Sequence, residues 1–114
     1  MSPITTHVLD TSIGRPAGGV HVTLERRSAE GSFRELGRGV TDSDGRLKSL
    51  LSDAAPLEPG IYRMTFETGA YYAERGLEGF YPEVLIVFEV REGREHYHVP
   101  LLLTPWGYST YRGS

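Results

Sequence analysis

From His96 to Ser114 the chain reads HYHVPLLLTPWGYSTYRGS, and this stretch concentrates groups that bind and titrate. His96 and His98 stand at i and i+2, followed by Tyr108, Tyr111, Arg112 and a final serine, Ser114, that also carries the α-carboxylate. An imidazole titrates near neutral pH and can take up and return a proton, while hydroxyl and guanidinium groups orient polar ligands. A terminus that merely frays is expected to be polar and featureless, which this one is not. His7, near the other end, reads by itself as a surface or interface histidine more readily than as a catalyst. Arg46 follows the tight-turn pair Asp44-Gly45. An arginine at such a turn is usually solvated, but its planar fork is also what a site needs to hold a carboxylate or a urea-like face by two parallel hydrogen bonds. His21 sits among Thr23 and Glu25 and reads as an ordinary surface histidine. His96-x-His98 offers two imidazoles to a metal, but the chain has no cysteine and no helix-borne His-Glu motif, so neither a metal nor another cofactor is expected. Ser109 and Ser114 lie in no nucleophile-elbow pattern, and no glycine cluster opens a helix as a phosphate loop would.

Strands must position these groups. Alternation puts His96 and His98 on one face of a strand from His96 to Leu103, with Tyr97, Val99, Leu101 and Leu103 on the other, core-seeking face. The histidine face is then left for solvent, a partner or a ligand. Ile4 to Asp10 reads as a first strand, with Ile4, Thr6 and Val8 on one side and Thr5, His7 and Leu9 on the other. Thr11 to Gly19 reads as a loop, Val20 to Arg26 as a half-buried strand with Val20, Val22 and Leu24 inward, and Phe33 to Val40 as a weaker strand. Thr41-Asp42-Ser43-Asp44-Gly45 is the strongest turn signal, and a short strand from Arg46 to Leu50 leaves it. After a proline-bearing loop from Ser52 to Gly60, Ile61 to Glu67 forms a strand with Tyr62, Met64 and Phe66 inward. Gly69 to Gly76 is the one helix candidate. Glu83 to Arg91, a turn at Glu92-Gly93-Arg94, the histidine strand, a turn at Thr104 to Gly107 and a last strand from Tyr108 to Tyr111 complete the chain. About eight short strands at roughly ten-residue spacing and one short helix are the pattern of an all-β sandwich.

The chain has 114 residues, 39% of them hydrophobic, which suits a single domain over residues 1–114 with its own core. A formal charge of −3 and scattered arginines argue against a nucleic-acid partner. No apolar stretch approaches membrane-spanning length, and Met1-Ser2-Pro3 leads straight into the first strand, so no membrane association and a cytoplasmic location are expected.

Taken together, four stretches resemble the 5-hydroxyisourate hydrolase family, the enzymatic relatives of transthyretin. They are Thr6-His7-Val8-Leu9-Asp10 with Gly14-Arg15-Pro16-Ala17, Thr41 to Arg46, Phe80-Tyr81-Pro82-Glu83-Val84, and His96 to Leu103 with Tyr111-Arg112-Gly113-Ser114. The closing Tyr-Arg-Gly-Ser is the most specific, being carried by the hydrolases and not by the hormone-carrying transthyretins. The resemblance implies a two-sheet transthyretin-like β-sandwich in which the first, fourth, seventh and eighth strands share a sheet, and a homotetramer with that surface lining a channel between dimers. It carries the active-site histidines onto His7 and His98, the arginine onto Arg46 and the terminal motif onto Tyr111, Arg112, Gly113 and Ser114. Trp106 stands where many relatives have another aromatic residue.

What the resemblance implies chemically is the opening of a lactam bond of 5-hydroxyisourate, the product of urate oxidation, to 2-oxo-4-hydroxy-4-carboxy-5-ureidoimidazoline. That requires an activated water, a clamp on a flat polar ring and donors facing a tetrahedral oxyanion. His7, Arg46, His98 and Ser114 are the expected catalytic groups, with His7, Arg46, Tyr111, Arg112 and Gly113 holding substrate. Either histidine can be the base. Two rivals remain: a carrier of small aromatic ligands through the same channel, and a sandwich that only mediates contacts.

Overall fold

The computed structural model describes residues 2–51, 57–93 and 95–114. In chain order the elements are β1 (Ile4–Asp10), β2 (Arg15–Pro16), β3 (His21–Arg27), β4 (Phe33–Val40), β5 (Arg46–Leu47), β6 (Gly60–Phe66), α1 (Thr68–Glu74), β7 (Val84–Val90), β8 (Tyr97–Thr104) and β9 (Gly107–Thr110). They form two packed sheets. The five-stranded sheet runs β2-β1-β8-β9 with β5 also on β1, and the four-stranded sheet runs β4-β3-β6-β7. This is the all-β sandwich with one short helix that the strand spacing predicts, and the first, fourth, seventh and eighth predicted strands do share a sheet.

Alternation explains the core. Ile4, Val8, Leu24, Met64, Phe66 and Leu101 are fully buried, each from the inward face of its strand. Tyr97, Val99, Leu101 and Leu103 all point inward, as the period of two requires. β1 and β8 pair in parallel, Thr5 opposite His98 and His7 opposite Pro100, so residues more than ninety positions apart become neighbours. Asp10 breaks the apolar pattern at the inner end of β1. Its carboxylate accepts from the Tyr71 hydroxyl at 2.9 Å and from the Ser12 backbone at 3.1 Å, which ties α1 to the sheet. Burial is the first cause that pushes the Tyr71 hydroxyl up to about 12, with Asp10 adding to it.

Several boundaries differ from the sequence reading, each for a tertiary reason. β2 lies inside the expected Thr11–Gly19 loop, because the free edge of β1 beyond Thr6 and His7 pairs Leu9 and Asp10 with Pro16 and Arg15. β5 stops at Leu47 rather than Leu50, since β1 offers it only those two partners. Val20 is inward and buried but precedes β3. The helix starts at Thr68, with Gly69 inside it and packed so closely on Pro82 that a Cβ would come within 2.7 Å of its carbonyl oxygen. Of the predicted Glu92-Gly93-Arg94 turn, Arg94 lies outside the described residues, as do residues 52–56 of the proline-bearing loop. No described helix is long and apolar enough to cross a membrane.

Candidate active site

Arg46 is aimed by the turn before it. Asp42 Oδ1 accepts from the Asp44 and Arg46 backbone amides at 2.9 and 3.0 Å, and these bonds hold its carboxyl below the usual range. Gly45 takes φ +75°, and a Cβ there would come within 2.2 Å of the Val8 carbonyl, so only glycine lets the turn lie on β1. The Val8 amide donates to the Gly45 carbonyl at 2.7 Å, which seats Arg46 opposite His7. His7 Nε2 lies 2.9 Å from the Asp44 carbonyl. A carbonyl only accepts, so Nε2 carries the proton and Nδ1 is the free nitrogen of a neutral His7.

His98 stands beside this pair on β8, with its Nδ1 2.8 Å from Thr5 Oγ1. The last residues reach it because of Pro100. On the β9 side of β8, Pro100 has no N–H to offer, and Thr110 Oγ1 donates to its carbonyl at 2.7 Å. The β8–β9 ladder ends there, at Leu101 opposite Thr110. The chain swings away through Tyr111 and Arg112, then returns as the Gly113 amide donates to the His98 carbonyl at 2.9 Å. A Cβ at Gly113 would sit 2.6 Å from the His98 ring, so glycine is what allows this approach.

The result is a hollow of about 220 Å3 lined by Thr5, Thr6, Arg46, Lys48, His96, His98 and Ser114. Burial lowers the His98 pKa from the ordinary imidazole value of 6.5, and the neighbouring His96, His7 and Arg46 add to the effect. A neutral imidazole at neutral pH, beside a guanidinium and an ammonium, can take a proton from water while the cations meet developing negative charge. A larger hollow of about 580 Å3, lined in part by Arg26, Arg34 and Tyr62, shares no residue with this cluster.

Of the predicted residues, Arg46, His98 and Ser114 share the hollow, and His7 is joined to it through Arg46. Gly113 packs on the His98 ring. Tyr111 and Arg112 line a neighbouring hollow of about 320 Å3 with Phe88, Tyr97 and Val99, which His98 also touches. There the Arg112 guanidinium lies 4.5 Å over the Tyr97 ring and 3.4 Å from a Glu95 carboxylate oxygen. Thr5 and Lys48 escape a reading that looks for catalytic types in the known motif, and His96, singled out beside His98, is given no catalytic role by it. The available signal was parity: Thr5 shares a strand face with His7, Lys48 with Arg46, and His96 with His98.

The sequence profile of the HIUase/transthyretin family matches residues 4–113. The chain is 47% identical to the 5-hydroxyisourate hydrolase of Mus musculus, covering 99% of this chain and 96% of that one. It is also 47% identical to the 5-hydroxyisourate hydrolase of Salmonella typhimurium, covering 97% and 80%. Among solved structures it resembles the 5-hydroxyisourate hydrolase of Klebsiella pneumoniae with TM-score 0.85, 43% identity and full coverage of both chains. It also resembles sea bream transthyretin in complex with thyroxine, with TM-score 0.89, 34% identity, and coverage of 97% and 94%. Backbone shape therefore does not separate hydrolase from carrier. The higher identity falls on the hydrolase side.

Proposed function

This chain belongs to the HIUase/transthyretin family, and on that premise we propose that it hydrolyses 5-hydroxyisourate in the hollow around His98. It is an enzyme of urate degradation. The observation that carries the assignment to this site is that one hollow collects an imidazole of lowered pKa, a guanidinium, an ammonium and a serine. A passive channel for an aromatic ligand needs no such titratable cluster.

In the proposed mechanism Arg46 grips the flat, urea-like face of the substrate, and Lys48 adds positive charge at the same wall. His98 Nε2 takes a proton from water as its oxygen attacks the lactam carbonyl. The C–O bond forms, the carbonyl electrons move onto oxygen opposite the cations, and collapse breaks the C–N bond. The proton held by His98 passes to the departing nitrogen, so the imidazole ends neutral, and one water has been consumed. His7 has its Nε2–H committed to the Asp44 carbonyl, which leaves Nδ1 to accept from substrate or water. Ser114 orients the water, and Tyr111, Arg112 and Gly113 shape and close the pocket.

We also read the working form as a cytoplasmic homotetramer. A single sandwich leaves the polar outer face of the β1–β8 sheet open. It also exposes Phe80, Val87, Trp106 and Tyr111 by more than half, in or beside β7 and β9. A partner packed on the outer face of the β1–β8 sheet would enclose the hollow. Purified protein should speed the loss of freshly generated 5-hydroxyisourate, followed by ultraviolet absorbance. Decay at the spontaneous rate would overturn the assignment in favour of the carrier.

A further inference from the structure

The hydrolytic scheme makes no use of one pair of contacts at the centre of the site. Thr5 is buried, and its Oγ1 lies 3.0 Å from His96 Nε2 as well as 2.8 Å from His98 Nδ1. It reaches both because it is the register partner of His98 on the parallel β1–β8 ladder, with the two rings stacked at 6.3 Å between centroids. A threonine hydroxyl owns one proton. It can therefore donate to only one of the two imidazoles. If both rings donated to it, its proton would have no acceptor among the described residues, an unfavourable state for a buried hydroxyl. One ring donates and the other accepts, and the tautomers of His96 and His98 are coupled through Thr5.

We propose that Thr5, backed by His96, is a positioning group that sets the tautomer of His98. His98 Nδ1–H donates to Thr5 Oγ1, the Thr5 hydroxyl donates to His96 Nε2, and His98 Nε2 keeps its lone pair toward the hollow. The inference rests on reading His98 as the base. Chemistry selects this polarity over the reverse. With it, His98 gains a proton at Nε2 while the Nδ1–H···Oγ1 bond is already made and strengthens as the ring becomes cationic. In the reverse arrangement Nε2 already holds the proton and cannot accept one from water. His96 is exposed, so its Nδ1–H is left to solvent. None of the other side chains facing His98 imposes a tautomer. His7 and Arg46 act through charge, Lys48 and Ser114 line the hollow, and Tyr111 and Arg112 lie across the neighbouring one, while the Thr5 backbone carbonyl also accepts from the ring and favours its protonated form.

Thr5→Val keeps the side-chain shape and removes the hydroxyl, whereas Thr5→Ser keeps the hydroxyl. The ring nitrogens of 15N-labelled wild-type protein near pH 8 should show His98 protonated at Nδ1 and bare at Nε2. In Thr5→Val that preference should be lost, with kcat falling by on the order of a hundredfold, the low end of what a positioned base contributes, and KM nearly unchanged. Thr5→Ser should recover most of the rate. Wild-type His98 protonated at Nε2 would overturn the proposal, whether or not the valine variant folds. So would a valine variant with unchanged kcat, or a serine variant as impaired as valine. If the wild type left 5-hydroxyisourate decay unchanged, the functional reading would fail by itself, and the nitrogen spectrum would still decide the tautomer.

Discussion

At the scale of single residues, the four histidines differ in their surroundings more than in their chemistry. His21 lies exposed at the start of β3, away from the cluster. His7 is committed through Nε2 to a backbone carbonyl, and His98 is kept neutral by burial and nearby positive charge. His98→Ala and His7→Ala should each lower turnover by on the order of a hundredfold to ten-thousandfold while the protein stays folded, read by 5-hydroxyisourate decay beside thermal unfolding. The sign of the pH dependence follows from the direction of the His98 shift. A base must be unprotonated, so kcat/KM should stay high as pH falls past 6.5 and drop only below it, through the lowered folded value. Stability should follow the same direction. Because the unfolded chain binds the proton more readily, the contribution of His98 is complete above 6.5 and is lost as pH falls through the folded value. A rate that declines already above pH 7 on the acid side would contradict His98 as the base. Legibility at this scale was uneven. His7, Arg46 and His98 stand out by residue type within a motif, whereas Thr5 is an ordinary strand threonine until β8 is laid against it.

At the scale of elements, two attachments matter. α1 is a helix of seven residues without a side-chain cap, too short to persist by itself, so what holds it is its packing and the Tyr71 hydroxyl on Asp10. Tyr71→Phe would leave a buried carboxylate short of one donor. It should cost about 1–3 kcal/mol, read as a lower Tm, with little loss of turnover. The second attachment is the final segment, held to β8 by the Gly113–His98 backbone bond after the Pro100 interruption. Deleting residues 111–114 removes Ser114 from the hollow and Gly113 from the His98 ring. The core positions Val99, Leu101 and Leu103 lie upstream, so the truncated protein should fold and be nearly inactive. Full activity after truncation would remove the terminal motif from the mechanism. Turn chemistry made the Asp44-Gly45 turn readable in advance. β2 was not readable, because a two-residue strand has no periodicity and exists only where a neighbouring edge is free.

At the scale of the whole molecule, a sandwich whose titratable face is open to solvent should work as an assembly. Sedimentation should show a tetramer, and activity should fall on dilution through its dissociation; a fully active monomer would refute the assembly. Periodicity alone pointed to an all-β sandwich, to inward strand side chains such as Val22, Met64 and Leu101, and to a His98 that faces away from them, because a period of two separates the faces of a strand. Tyr71, Tyr72, Leu50 and Leu57, by contrast, join the core from outside the strands. The four quoted stretches also identified the family and named His7, Arg46 and His98. What only the tertiary structure decided is which outward-facing groups meet. The parallel pairing of β1 with β8, the seating of β5 by Gly45 and the return of Gly113 to His98 join segments from both ends and the middle of the chain. Such pairings depend on free strand edges and backbone hydrogen bonds between distant residues, which leave no local pattern in the sequence.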